Sequence, residues 1–166
     1  QPPVPMHRAA PAPLRLYALY AAAFLVVTLL AGVWLRAAYV WPGALGGFTA
    51  GNLLHAHSHL AFFGWATPAL FALLGGWLPA ARGRRLRTHA HALALASAAA
   101  FVGFLRQGYA PLTIALSTVH VLLWFGFAFL AWIPLAEAPP RERRSARAPL
   151  GFLVLAGLGA MLPGYV

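Results

Sequence analysis

An uncharged apolar run, LYALYAAAFLVVTLLAGVWL at residues 16–35, is the feature that most limits how this chain can fold. A helix of about 20 apolar residues crosses a hydrocarbon core about 30 Å thick. Lipid offers no partners for backbone N–H and C=O groups, so a segment in that core pairs them internally, as an α-helix does. The chain is 61% hydrophobic and 8% charged over 166 residues, which is typical of a membrane protein and not of a soluble domain.

Five apolar segments are separated by charged, Pro-rich or Gly-rich stretches, and each predicts a helix. We place these helices at residues 16–38, 53–78, 89–105, 111–135 and 149–166. Asn52 is the predicted N-cap of the second helix, and Pro68 predicts a kink inside it. We expect an all-α integral membrane bundle of four to five transmembrane helices, forming one domain at 16–166 after a tail at 1–15. The fifth segment reaches Pro163 after about 14 residues, which is short for a span and favours a chain that is one part of a longer protein.

Arginine supplies all twelve basic residues, and its distribution predicts the orientation of the bundle. If four helices cross in succession, ten arginines lie on one side, with only Arg36 and Arg106 on the other. By the positive-inside rule we expect a cytoplasmic N-terminus in a bacterial inner membrane and an outward-facing loop at 41–51. The arginines form clusters beside apolar runs, so we expect contact with anionic lipid and exclude nucleic acid as a partner. The ten are Arg8, Arg15, Arg82, Arg84, Arg85, Arg87, Arg141, Arg143, Arg144 and Arg147.

Ligand chemistry is concentrated in the segment NLLHAHSHLAFFGW at residues 52–65. In a helix, residues four apart share a face and residues two apart project about 200° apart. His55 and His59 therefore share one face, and His57 points away from it. With 1.5 Å of rise per residue, these histidines lie on the order of 5–10 Å below the outer surface, and His120 lies about 15 Å deep. We expect His120 to share a ligand group with the cluster.

The chain has no cysteine, so thiolate metal sites, iron–sulfur clusters and covalently attached haem are excluded. Any metal ion or haem is therefore held by histidine. Three imidazoles at one end of an apolar helix carry a desolvation cost that packing alone does not require. His89 and His91 lie at the other end of the bundle, beside the arginines, where we expect a solvated edge.

The pattern HxHxxxxGW, formed by His57, His59, Gly64 and Trp65, resembles the tenth helix of the catalytic subunit of C-family haem-copper oxidases. It is also similar to the HAH segment of NnrS-type haem- and copper-containing membrane proteins. The resemblance implies that His57 serves a high-spin haem and His59 a low-spin haem, on opposite faces of one helix. The chain has no His-His pair, and its only acids are Glu137 and Glu142. We therefore expect a component of an oxidoreductase and not a complete oxidase.

Three functions follow from these residues. The first is electron transfer or diatomic gas binding by haem b, one or two per chain, with His57 or His59 opposite His120 as axial ligands and Arg36 and Arg106 as propionate partners. The second is copper or zinc binding, in which His55 and His59 chelate one ion with His120 as a third imidazole. The third is a non-catalytic subunit of a homo-oligomer or a larger membrane complex. The candidate metal ligands are His55, His57, His59 and His120.

Overall fold

The computed structural model describes residues 12–75, 83–136 and 139–161, and within those ranges it is helical with no strand. Four of its helical segments are long and apolar enough to cross a membrane, as the all-α prediction requires. A 3₁₀ turn at Pro42–Leu45 follows α1, and a π-helical turn at Ala61–Ala66 joins α2 to α3 into one continuous span. The helices are α1 Ala12–Val40, α2 Ala50–Leu60, α3 Thr67–Gly75, α4 Gly83–Gln107, α5 Pro111–Ala136 and α6 Pro140–Met161.

Successive helices run antiparallel, so the bundle has two distinct ends. The loop at 41–49 and the turn at 108–110 form one end, which we call the loop end. The first turns of α4 and α6 lie at the opposite end, which we call the arginine end. Helix α1 packs along α2, the π turn and α3, and α2 packs against α4. Helix α4 in turn packs against α5, and α5 against α6.

A cluster of aromatic rings forms the core toward the arginine end. Phe71 of α3 and Phe127 of α5 stack with their centroids 4.0 Å apart. Tyr17 of α1 meets both rings edge to face, at 5.9 and 5.7 Å. Because lipid tails are as apolar as these side chains, close packing and ring geometry hold the helices together here, and removal from water contributes little.

The second span begins earlier than its apolar run suggests, and the predicted N-cap is wrong. Thr49 is the N-cap, and its Oγ1 accepts a hydrogen bond of 3.1 Å from the backbone N–H of Asn52. Asn52 is already inside the helix. Its side chain lies close to Gly108, because a Cβ added at Gly108 would be only 2.6 Å from the Asn52 Oδ1. Gly108 also has a φ of 60°, in the left-handed region that favours glycine. This contact helps to bring the α4–α5 turn onto α2.

A π turn at Ala61–Ala66 lies just before Pro68, the residue at which the sequence predicts a kink. Pro68 has no backbone N–H to pair with the carbonyl of Gly64, four residues before it. The N–H of Thr67 reaches back five residues to the carbonyl of Phe62, and the Thr67 hydroxyl donates to the same carbonyl at 2.8 Å. A wide turn of this kind adds one residue, which rotates the following side chains by about 100° relative to a regular helix.

The predicted start of the first helix is wrong, because α1 begins at Ala12, inside the tail predicted at 1–15. The predicted starts of two other helices are also wrong, because charged residues expected in loops are helical. Helix α4 begins at Gly83, not at residue 89, and α6 begins at Pro140, not at residue 149. Arginine is a good helix former, and its long side chain carries the charge away from the apolar part of the helix. The arginines that were expected in loops but are helical are Arg84, Arg85, Arg87, Arg141, Arg143, Arg144 and Arg147.

Helix α6 lies beside α5, held by a hydrogen bond of 2.8 Å from the indole Nε1 of Trp124 to the carbonyl of Leu153. Pro149 lies inside this helix, although we expected it at the start. Four predictions fall wholly or partly outside the described residues: residues 1–11 of the tail predicted at 1–15, the end of the second helix at 76–78, Arg82 in its loop, and the chain at 162–166.

Candidate functional site

The three clustered histidines divide between two faces of α2, as helical geometry predicts. His57 contacts α1, whereas His55 and His59 both contact Tyr109 in the α4–α5 turn. Each of the three rings is half-buried. The cluster is therefore two separate sites, one between α1 and α2 and one at the loop end beside Tyr109.

The His57 ring is oriented by a hydrogen bond to the backbone of α1. Its Nδ1 lies 3.0 Å from the backbone carbonyl of Thr28. A carbonyl only accepts hydrogen bonds, so Nδ1 carries the hydrogen and Nε2 of the neutral ring carries the lone pair. Most metal-binding histidines are oriented in this way, by a second hydrogen bond from the nitrogen that does not bind the metal. Within the described chain, Nε2 of His57 has no hydrogen-bond partner.

Gly32 of α1 makes room for this ring. A Cβ at Gly32 would lie 3.1 Å from Cε1 of His57, closer than side chains normally approach. Thr28, Gly32 and Arg36 are spaced four apart, so they follow one face of α1 toward the loop end. Arg36 is exposed and lies one turn beyond Gly32, or about 6 Å along the helix axis. The α1 face beside His57 thus combines the close contact at Gly32, the carbonyl acceptor of Thr28 and the guanidinium of Arg36.

His59 is held by three aromatic residues. Its ring stacks on Phe104 with centroids 4.0 Å apart and planes 5° apart, and lies 5.1 Å from Phe63. Its Nε2 is 2.8 Å from the hydroxyl of Tyr109. The His55 ring meets the same tyrosine at 4.7 Å, edge to face. Sequence reasoning missed Tyr109, although its place after Gly108, in a turn between two spans, puts it near the start of α2.

His120 lies deeper, with only 2% of its surface exposed. Its ring stacks on Phe63 at 4.0 Å, and its Nε2 is 3.4 Å from the hydroxyl of Thr67. Nδ1 of His120 is buried without a hydrogen-bond partner in the described chain. Phe63 therefore contacts both His59 and His120, and its ring occupies space that a haem bound to both would need. Arg106, the other predicted propionate partner, is exposed in the last turn of α4.

The prediction that His89 is solvated is wrong. Because α4 begins at Gly83, His89 lies well inside the helix and faces the core with 7% exposure. Its Nε2 donates to the carbonyl of Leu123 at 2.7 Å, so Nδ1 of the neutral ring accepts from the Tyr17 hydroxyl at 2.6 Å. Tyr17 joins α1 to α4 through this bond. His91 is exposed, as predicted, and its Nδ1 pairs with the hydroxyl of Tyr20.

Replacing Tyr17 by phenylalanine is expected to destabilise the bundle by about 1–3 kcal/mol, because His89 Nδ1 is left buried without a donor. Tyr20→Phe is the matched control, since it removes the equivalent bond to the exposed His91. For the Tyr20→Phe variant we expect the free energy of unfolding to change by less than about 0.5 kcal/mol. Reversible unfolding in mixed micelles, followed by circular dichroism, measures both. Equal losses would show that burial of His89 does not determine the effect.

Among the described residues, no three histidine, cysteine or acidic side chains come together as a ready-made metal site. Comparison of the chain with protein-family models, curated proteins and solved structures gives no match. The resemblance of the HxHxxxxGW segment to haem proteins therefore stays a prediction, and functional inference rests on the geometry of the histidines. Of these, His57 has an oriented ring with a free nitrogen, whereas His59 and His120 are packed against Phe63.

Proposed function

We propose that this chain is an integral membrane haem b protein in which Nε2 of His57 binds the iron and the opposite iron position is open to a diatomic gas. The observation that carries the proposal is the hydrogen bond from His57 Nδ1 to the carbonyl of Thr28, which orients the ring and leaves the lone pair of the neutral imidazole on Nε2. The resemblance to oxidases assigns the same histidine to a high-spin haem. A haem with one imidazole ligand supplies an iron position that a diatomic gas can occupy.

The residues around His57 fit such a group on three counts. Gly32 lets the imidazole lie close against α1, so its position is set by packing as well as by the Thr28 carbonyl. Arg36, farther along the same face of α1, is exposed and suits the carboxylates of a haem, which a guanidinium binds through paired N–H donors. In the described chain, His59, His89 and His120 contact other parts of the bundle and not the α1 face beside His57, so His57 would be the one histidine that holds the haem.

An optical spectrum tests this function. We expect the detergent-purified protein to show a Soret band and a b-type pyridine haemochrome at about one haem per chain. Carbon monoxide added to the dithionite-reduced protein is expected to shift the Soret band, because one axial position is open. A haem spectrum that carbon monoxide leaves unchanged would contradict the open position and favour a second ligand and electron transfer. Protein without haem would overturn the proposal.

The Tyr109 site favours a second candidate, the binding of copper or zinc. His55 and His59 lie four residues apart, and both contact Tyr109. Two imidazoles and a phenol suit Cu²⁺ or Zn²⁺, and here the tyrosine takes the place that we predicted for His120. Metal analysis of the same sample distinguishes the two sites. A metal site here predicts that His55→Ala lowers the copper or zinc content and leaves the haem content unchanged.

For the cellular setting, we propose that the arginine end faces the cytoplasm of a bacterial cell, and that the chain works within a larger membrane complex or a homo-oligomer. The support for the orientation is the count of ten arginines against two. The exposed apolar side chains of the helices are covered by lipid or by a partner helix. Anionic lipid is the partner that the arginines favour.

The absence of cysteine allows a direct test of orientation. Gly43→Cys places a single thiol at the loop end, and Arg84→Cys places one at the arginine end, both at exposed positions. In intact spheroplasts we expect a membrane-impermeant maleimide to label the Gly43→Cys protein. The Arg84→Cys protein is expected to react only after permeabilisation. The reverse pattern would show that the arginine end faces outward.

A further inference from the structure

A cavity of about 120 Å³ lies between the end of α5 and the first half of α6, and none of the histidine sites includes it. Trp132 and Ala136 line it from α5, and Arg143 and Arg147 line it from α6. The cavity is at the arginine end of the bundle. A small space lined by two arginines and a tryptophan is suited to an anionic ligand that also has an apolar part.

The two arginines are arranged to act on one anion. Arg143 and Arg147 are four residues apart in α6, so they project from one face with their Cβ atoms about 6 Å apart. Both side chains are exposed. Arginine presents its N–H donors in a planar fork that matches the oxygens of a phosphate group, and two such forks can share one phosphate.

The apolar surroundings distinguish a lipid from a soluble phosphate. Trp132 is 50% exposed, and Phe129, one turn farther into the span on α5, is 64% exposed. Tryptophan is enriched where the hydrocarbon core meets the headgroups, which is also the depth of the lipid phosphates. An acyl chain that descends from a phosphate in the cavity would lie along the exposed Phe129.

We propose that this cavity binds the phosphate of one anionic phospholipid, with Arg143 and Arg147 as its ligands and Trp132 as the wall beside the glycerol backbone. The site is independent of the haem proposed at His57. It assigns a specific function to two of the clustered arginines, beyond their general attraction to a negatively charged membrane surface.

Native mass spectrometry of the full chain, delipidated in detergent and titrated with phosphatidylglycerol or with phosphatidylcholine of the same acyl chains, tests this site. We expect one phosphatidylglycerol to bind at least about tenfold more tightly than phosphatidylcholine, because the two guanidinium groups would repel the cationic choline group of phosphatidylcholine. The variant Arg143→Gln/Arg147→Gln is expected to lose about tenfold in affinity for phosphatidylglycerol. The matched control is Arg141→Gln/Arg144→Gln, which removes the same charge from the same helix.

The control variant is expected to bind phosphatidylglycerol within about threefold of the unaltered protein. Equal loss in the two double variants would show diffuse attraction and overturn the site. If inorganic phosphate alone displaces the lipid at similar concentration, the ligand is a soluble phosphate and the lipid assignment is wrong. Trp132→Leu keeps both arginines, and we expect it to weaken binding about threefold. This variant tests the site even if the double variant fails to fold, and unchanged affinity would count against it.

Discussion

Replacing His57 by alanine is expected to lower the haem content of the purified protein to less than about a tenth, since loss of a second-shell partner alone can cost 10–100-fold. The proposed haem has one protein ligand to iron, so no other imidazole compensates. The pyridine haemochrome assay, divided by polypeptide concentration, measures the effect. His91→Ala is the control, because His91 is exposed and pairs with Tyr20 far from the proposed site.

Two further variants separate His57 from the other histidines that we considered as ligands. His59→Ala and His120→Ala are expected to leave at least about half of the haem in place, because both rings pack against Phe63 and not against α1. If either of them removes the haem while His57→Ala retains it, the bis-histidine arrangement across α2 and α5 is correct and our assignment is wrong.

Gly64→Ala is expected to destabilise the bundle by about 1–3 kcal/mol, the usual cost of overpacking a tight contact. A Cβ at Gly64 would lie 2.8 Å from Cγ of Phe24 and 2.9 Å from Cδ1 of Leu60. The Phe24 ring atom is close to the α1 backbone and has little freedom to move, so the π turn and α1 must separate. Unfolding in mixed micelles, followed by circular dichroism, measures the loss.

Gly51→Ala is the matched control for this contact. Gly51 lies in the first turn of the same span, and a Cβ there would meet nothing within 4 Å. Alanine is the better helix former, so we expect Gly51→Ala to be neutral or to stabilise by up to about 1 kcal/mol. A similar loss for both variants would mean that the α1 contact does not limit stability at Gly64.

The number and approximate positions of the spans are predictable from the sequence, because the length of an apolar run determines whether it can cross the membrane. The ends of the helices are less predictable. Apolar patterning stops at the membrane surface, but the backbone at Gly83 and Pro140 is already helical in charged sequence. The N-cap of α2 was predicted at Asn52 for the same reason. The true cap, Thr49, lies outside the apolar run from which the helix was predicted.

The division of the histidines between two faces follows from helical periodicity alone. Their partners do not, because each comes from a distant part of the chain: Thr28 for His57, and Tyr109 for His59. Burial of His89 was also unpredictable, since it depends on where α4 starts and on contacts with Tyr17 and α5. Periodicity indicates which way a side chain points, whereas tertiary packing decides what it meets.

The fold explains why the HxHxxxxGW segment has a glycine at residue 64. Gly64 is buried in the π turn, where α1 comes too close for a side chain. Trp65, the next residue, is 40% exposed on the outside of the bundle. Close helix packing therefore accounts for this glycine, and only the histidines of the motif enter the haem proposal.

The most direct test of the central claim is rescue of the missing ligand by free imidazole. His57→Gly leaves a space beside Gly32 and the Thr28 carbonyl, and we expect the variant to be purified almost free of haem. Addition of haem with about 10 mM imidazole is expected to restore the Soret band and the shift with carbon monoxide, because free imidazole can occupy the space left by the side chain. If the variant binds haem equally well with and without imidazole, His57 is not the ligand.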